Sequence, residues 1–151
     1  MPSSDPHHSS PTPRTVSGRL LERISAGRWD DLAELYAPDV EVEFPFAPVP
    51  PHRLHGREAL RERFAALRHP DAPRLRAENV RIRDTDDPEL VVAEFDYEVH
   101  LPATGRTFRT ANVQVLRVRD GLIVESRDYH DHLAFATAAG RAADLLAALD
   151  G

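Results

Sequence analysis

Cysteine is absent from the 151 residues, which excludes disulfides, thiolate metal sites, iron–sulfur clusters and cysteine nucleophiles. Lysine is absent too: all 19 basic residues are arginine, so neither a Schiff-base lysine nor a phosphate-loop lysine exists. Leaving glycine and proline aside, the longest apolar run is Leu145 to Leu149, far short of a membrane span. The first 13 residues are polar and proline-rich with no apolar stretch, unlike a signal peptide. Excess positive charge is also missing. The net charge is −6 and the arginines are scattered among acids, which argues against a nucleic-acid footprint. No membrane, no nucleic acid and a cytoplasmic location are the expectations. No Gly-x-Ser-x-Gly elbow, phosphate loop or dinucleotide fingerprint occurs.

What is present is enough for one domain. A chain of this length buries about 68–70% of the surface it exposes when unfolded. Residues 1–13 are expected to be a disordered tail, and 14–151 a single domain. Val16, Leu20, Leu21 and Ile24 form a helical stripe that Ala26-Gly27 closes. A short helix is expected from about Trp29 to Tyr36, stopped by Pro38, then a strand over Val40–Phe44 and a proline-rich loop from Pro45 to Leu54. Gly56 to Arg68 reads as a third helix. Four strands follow, Arg74–Arg83, Leu90–Leu101, Arg106–Arg119 and Leu122–His130, with the hairpin pair Asp120-Gly121 before the last. Asp131 to Leu149 reads as a closing helix with Gly140 as a kink. Helices followed by an antiparallel sheet make an α+β domain.

The strand faces carry the chemical information, because side chains alternate sides along a strand. In 91–101 the odd positions are apolar (Val91, Ala93, Phe95, Tyr97, Val99, Leu101), and Glu94, Asp96, Glu98 and His100 are even. One reading buries the odd face and solvates the even one. The next strand complicates it: Thr110, Asn112 and Gln114 are polar but uncharged, a composition that suits the wall of a polar cavity. If the even faces share that cavity, Asp128 and His130 would meet Glu94, Asp96, Asn112 and Gln114. Crowded carboxylates cannot all ionise comfortably, which supplies an acid and a base side by side.

Six strings in this order resemble the nuclear-transport-factor-2-like superfamily, in particular its SnoaL-like branch, with ketosteroid isomerases and limonene-1,2-epoxide hydrolase as relatives. They are Ser25–Leu32, Leu35–Val40, His55–Leu60, Thr104–Arg106, Arg119–Ile123 and Arg127–Asp131. The resemblance covers about residues 15–149. It implies a cone-shaped, curved antiparallel sheet packed on three to four helices, a cystatin-like α+β roll with a pocket at one end. Such domains commonly form homodimers through the outer sheet face. That would give the apolar odd positions of 91–101 and 111–115 to a partner and the even face to the pocket.

The resemblance implies a small-molecule enzyme acting by carboxylate acid/base chemistry on an apolar oxygenated metabolite: cyclisation, isomerisation, dehydration or epoxide opening, with no cofactor. The alternatives are a non-catalytic ligand-binding or dimerisation module, and an epoxide hydrolase proper. The steroid-isomerase constellation is not preserved, since Leu20, Phe44 and Gln114 stand at its functional positions. The epoxide-hydrolase pattern matches Asp96 and Asp128 to its two aspartates, but puts Glu94 where that family has arginine.

The candidate catalytic residues are therefore Asp128, Asp96 and Glu94. Thr110, Asn112, Gln114 and His130 are expected to orient substrate. Leu20, Trp29, Tyr36, Phe44 and Phe64 are expected at the apolar end of the pocket, although such residues more often fill a core. The structural alternative for the acids is ion pairing with Arg109, Arg117 or Arg127 on adjacent strands. No metal is expected: His130 and His132 flank Asp131, but nothing else has ligand spacing, and His52 and His55 lie in the proline-rich loop.

Overall fold

The computed structural model describes residues 9–150. Helix α1 (Pro13–Ser25) starts where its sequence tells it to: Thr12 is the N-cap, its hydroxyl accepting from Thr15 N–H at 3.2 Å, and proline occupies the first turn. The end of the segment expected to be a tail is thus ordered. Thr12 and Pro13 belong to the helix, Pro11 packs beside Gly121, and residues 1–8 lie outside the described residues. Val16, Leu20, Leu21 and Ile24 point inward as the spacing predicts. α2 (Trp29–Leu32) and a single 3-10 turn (Ala33–Leu35) follow.

The expected helix to Tyr36 ends early, because strand β1 (Tyr36–Glu43) already begins there. Pro38 sits at an irregularity in that strand, where the register with its neighbour shifts between Tyr36 and Glu41. The proline-rich loop contains a short strand β2 (Arg53–His55), paired antiparallel with β1. α3 (Arg57–Ala66) comes next. The long strands β3 (Arg74–Asp84), β4 (Leu90–Leu101), β5 (Arg106–Arg119) and β6 (Leu122–Tyr129) then run almost as expected. Asp120 and Gly121 both take positive φ (53° and 79°), the two-residue turn that matches strand twist. The closing helix breaks at Gly140 (φ 72°) into α4 (His132–Ala138) and α5 (Ala142–Asp150).

The six strands form one sheet in the order β2-β1-β6-β5-β4-β3. It is mixed, not purely antiparallel as expected, because β1 lies parallel to β6. Its inner face meets α1, α2 and α3 over a core that includes Val16, Leu20, Leu32, Val40, Val42, Val91, Val99, Leu116 and Ile123. Ser25 ties helix to sheet: its hydroxyl donates to Leu21 O at 2.8 Å and accepts from Ala77 N–H at 2.9 Å.

Register decides which side chains share a face, and here it overturns one expectation. In the β4–β5 hairpin Leu101 pairs with Arg106, so Phe95 faces Asn112 and Tyr97 faces Thr110. Odd residues of β4 thus share a face with even residues of β5. That face is the interior: Val91, Ala93, Phe95, Tyr97 and Val99 are buried, as are Thr110, Asn112 and Gln114. The odd face of β4 therefore packs on this chain's own helices and cannot meet a partner, while Ala111, Val113 and Val115 of β5 do face outward.

Glu94 and Asp96 consequently lie on the outer face, not in a shared cavity with Asp128. Glu94 stands 3.5 Å from Arg83, and Asp96 accepts from Asn79 Nδ2 at 2.9 Å. Both are cross-strand contacts with β3; Glu94 makes the kind of ion pair the structural alternative described, with a different arginine, while Asp96 takes a neutral amide donor instead. No helix among the described residues is long and apolar enough to cross a membrane.

Candidate active site

Between β5 and β6 the pairing is even with even: Gln114 faces Asp128, and Leu116 faces Ser126. This brings Asp128 to the inner face, where the side chain is only 12% exposed. A charge so placed needs partners. Its Oδ1 has two: Ser126 Oγ donates at 2.5 Å and Gln114 Nε2 at 2.9 Å. The second oxygen, Oδ2, faces His130 Nε2 across 4.0 Å. One oxygen is held and the other is open to the interior. Among the described residues Gln114 Oε1 is buried without a hydrogen-bond partner.

Two tyrosines complete the wall. Tyr36, at the start of β1, is fixed through its backbone: Arg57 on α3 donates to its carbonyl from Nε at 2.8 Å and from Nη2 at 2.6 Å. Its ring packs against Phe64, centroids 6.0 Å apart. Tyr97 comes from β4 and packs edge-on to Phe95 at 5.0 Å. Burial pushes both phenols well above the ordinary tyrosine range, and the negative charge of Asp128 pushes them further. Both are neutral hydroxyls, so both can donate a hydrogen bond.

His130 lies just past the end of β6, half-buried. Its Nδ1 is 3.1 Å from Asn112 Oδ1, and its ring is 6.3 Å from that of Tyr97. Burial lowers its pKa, Arg63 on α3 lowers it further, and Asp128 works against both. His132 opens α4, 6.2 Å from His130, and is shifted down by burial, by His130 and by Arg63, against Asp131. These shifts predict an acid-sensitive fold. A histidine whose folded-state pKa lies below 6.5 binds fewer protons folded than unfolded, so stability falls as pH drops below 6.5 towards the folded-state value. Urea midpoints measured at about pH 7.5 and about pH 5.5 should show that loss, and His130→Asn should reduce it. Asp87 and Glu89 act in a different window. Hydrogen bonds from Arg117 and Arg119 respectively depress their pKa values, so their contribution is lost only as pH falls below about 4.

His130 and Asn112 also line an open cleft of about 900 Å³, while Asp128 sits behind them. β6 leaves the sheet after Tyr129, and the cleft occupies the notch this creates beside β5. Its far wall is apolar: Phe46, Leu133, Leu145, Leu146 and Leu149. Glu94 and Asp96 reach this cleft from the outer face only.

The other expected pocket residues divide. Thr110 and Asn112 are buried on the inner face beside His130, and Tyr36 is buried there within reach of the Asp128 charge. Leu20 is fully buried in the core, with no surface to offer a ligand. Trp29 stacks on Phe64 at 6.5 Å and borders a separate hollow near α1. Phe44 lies under the Arg63 guanidinium at 4.5 Å, at a small hollow it shares with His132. Leu20 and Trp29 thus belong to the core cluster, and Phe64 packs against it.

Tyr97, Ser126 and Arg63 were not anticipated. Tyr97 sat in a run of apolar odd positions assigned to the outside. The four-residue connection Pro102–Gly105 contained the signal: it pairs 101 with 106 and so reverses parity between the strands. Among the described residues no group of three or more histidines and acids converges as a metal site. His55 instead sits beside Glu41, its cross-strand partner, at 2.5 Å, and the His52 carbonyl accepts from Phe44 N–H at 2.8 Å.

The separation of Asp96 from Asp128 removes the two-aspartate arrangement that the epoxide-hydrolase match required, since the pair point to opposite faces of the sheet. The comparisons with known proteins agree with the fold. An uncharacterized PhzA/B-like protein of Pseudomonas aeruginosa is 34% identical over 124 residues, covering 81% of this chain and 84% of its own length. The crystal structure of a Bacillus subtilis protein provisionally named an isomerase superposes with a TM-score of 0.76 at 26% identity, covering 83% of this chain and 91% of that one. A Xanthomonas campestris protein provisionally named a polyketide cyclase has the same fold, with a TM-score of 0.71 at 20% identity, covering 83% and 94%. The model of the SnoaL-like domain matches residues 18–126, most of the strands that build the site, and the chain belongs to the SnoaL-like family.

Proposed function

We propose that this protein is a small-molecule enzyme of the isomerase or cyclase type, in which Asp128 moves a proton on an apolar oxygenated metabolite. The observation that carries this reading is the state of Asp128: a nearly buried carboxylate with Oδ1 held by Ser126 and Gln114, Oδ2 open, and two neutral tyrosines alongside. Removing a proton from carbon next to a carbonyl leaves negative charge on oxygen. Tyr36 and Tyr97 are donors already in place to receive that charge in a site poor in water. The apolar wall of the cleft suits the body of such a substrate, and no cofactor takes part in the scheme. The family and the relatives' names support the reaction class.

The test is exchange. Apolar ketones and esters with an acidic α-hydrogen, incubated with the protein in deuterium oxide, should gain deuterium, and Asp128→Asn should stop it. A panel that gains none would overturn the enzymatic reading in favour of a binding module. A homodimer through the outer face is part of the same proposal, centred on Val115 of β5, beyond Ala111 and Val113, which line the cleft. Sedimentation should give twice the 16.9 kDa chain mass, and Val115→Arg should restore the monomer mass. A wild-type monomer would refute the dimer.

A further inference from the structure

His130 has two ring nitrogens with different neighbours, and the neighbours determine which of them holds the proton. Asn112 Nδ2 lies 3.2 Å from Thr110 Oγ1 and 3.4 Å from the Thr110 carbonyl oxygen. A carbonyl oxygen only accepts, so the amide group of Asn112 must turn its NH₂ towards Thr110. Its Oδ1 is then the atom facing His130 Nδ1 at 3.1 Å, and that oxygen only accepts as well. The hydrogen bond exists only if Nδ1 carries the proton. Asn112 and Thr110 are 4% and 3% exposed, so water does not offer an easy substitute.

We infer that Asn112 is a positioning residue that keeps the His130 proton on Nδ1, so that the Nε2 lone pair and Asp128 Oδ2 face each other as two acceptors 4.0 Å apart. That separation is too long for a direct hydrogen bond. The gap takes a ligand group that brings its own proton, an O–H, N–H or activated C–H, and not a carboxylate. The bond from the ligand's donor atom to hydrogen breaks, its electron pair stays on the ligand, and the new O–H bond forms at Asp128 Oδ2, with the Nε2 lone pair beside it able to accept that proton in turn. The other charged and titratable groups around His130 are Arg63 on α3, Tyr97 on β4, and Asp131 and His132 at the start of α4. None of them accepts from Nδ1 among the described residues.

The inference rests on the proposed catalytic role of Asp128 for its consequence, but its test does not need a substrate. Nitrogen-15 NMR of the imidazoles in the ligand-free protein at neutral pH separates a protonated ring nitrogen from a bare one. The wild type should show His130 protonated at Nδ1. Asn112→Leu, which leaves Nδ1–H without its acceptor, should move the proton to Nε2, on the side of the Asp128 charge, while Asn112→Asp, which keeps an acceptor, should hold it on Nδ1. A wild-type His130 protonated at Nε2 overturns the inference, and so does a folded Asn112→Leu with an unchanged tautomer. If Asn112→Leu does not fold, the wild type and Asn112→Asp still decide. Loss of the deuterium exchange result would remove the catalytic reading and leave this assignment standing.

Discussion

Asp128→Asn is expected to slow turnover by roughly 10²–10⁴-fold, the range in which a positioned acid or base contributes. Asparagine has nearly the same shape, and its Oδ1 still accepts from Ser126 and Gln114. The open oxygen, however, becomes an NH₂ group that cannot take a proton. The electrostatic change reinforces this. Asp128 raises the pKa of Tyr36, Tyr97 and His130, so neutralising it removes one of the forces keeping the phenols protonated and leaves His130 still harder to protonate. Asp96→Asn and Glu94→Gln are the controls. Their carboxylates pair with Asn79 and Arg83 on the outer face, and exposed pairs of this kind contribute about 0–1 kcal/mol. Because both border the cleft from the outer face, kcat in each should stay near the wild-type value even where KM shifts. An Asp128→Asn protein as fast as the parent would end the proposal, and an Asp96→Asn protein as slow as Asp128→Asn would put the chemistry on the wrong side of the sheet.

The largest effect on stability is expected at Leu20. Its side chain is fully buried in the α1 stripe against the sheet, so truncation to alanine loses transfer free energy and leaves a cavity, together about 2–5 kcal/mol. Domains of this size are stable by only about 5–15 kcal/mol, so the variant gives up a large part of the total. A fall in melting temperature of about 5–15 °C follows, read by calorimetry. The turnover of the protein that remains folded should be close to normal, because Leu20 supports the cone and touches no ligand. A stable Leu20→Ala protein with altered substrate preference would return this residue to the pocket wall.

Much of the architecture was legible along the chain. The strand limits of β4 and β5 are those read from alternation and turn residues, and Asp120-Gly121 marked its hairpin because only residues tolerant of positive φ serve there. The shared face of Asp128, Asn112, Gln114 and His130 is legible from alternation alone, because β5 and β6 pair even with even. Glu94 and Asp96 were misplaced and Tyr97 was missed for a single reason. One residue of register across the β4–β5 hairpin exchanges the two faces of a strand.

Local patterning, turn chemistry and the absence of cysteine and lysine therefore settled what kinds of element and what kinds of chemistry this protein has. Those properties belong to each segment by itself. Which carboxylate is sheltered and which is wet was decided only when the strands paired, since a strand's two faces are equivalent until a neighbour and a layer of helices choose between them. The same holds for the mixed sheet: nothing within β1 or β6 states that they run parallel. Their contact joins residues about 85 positions apart, and only packing around the common core brings them together.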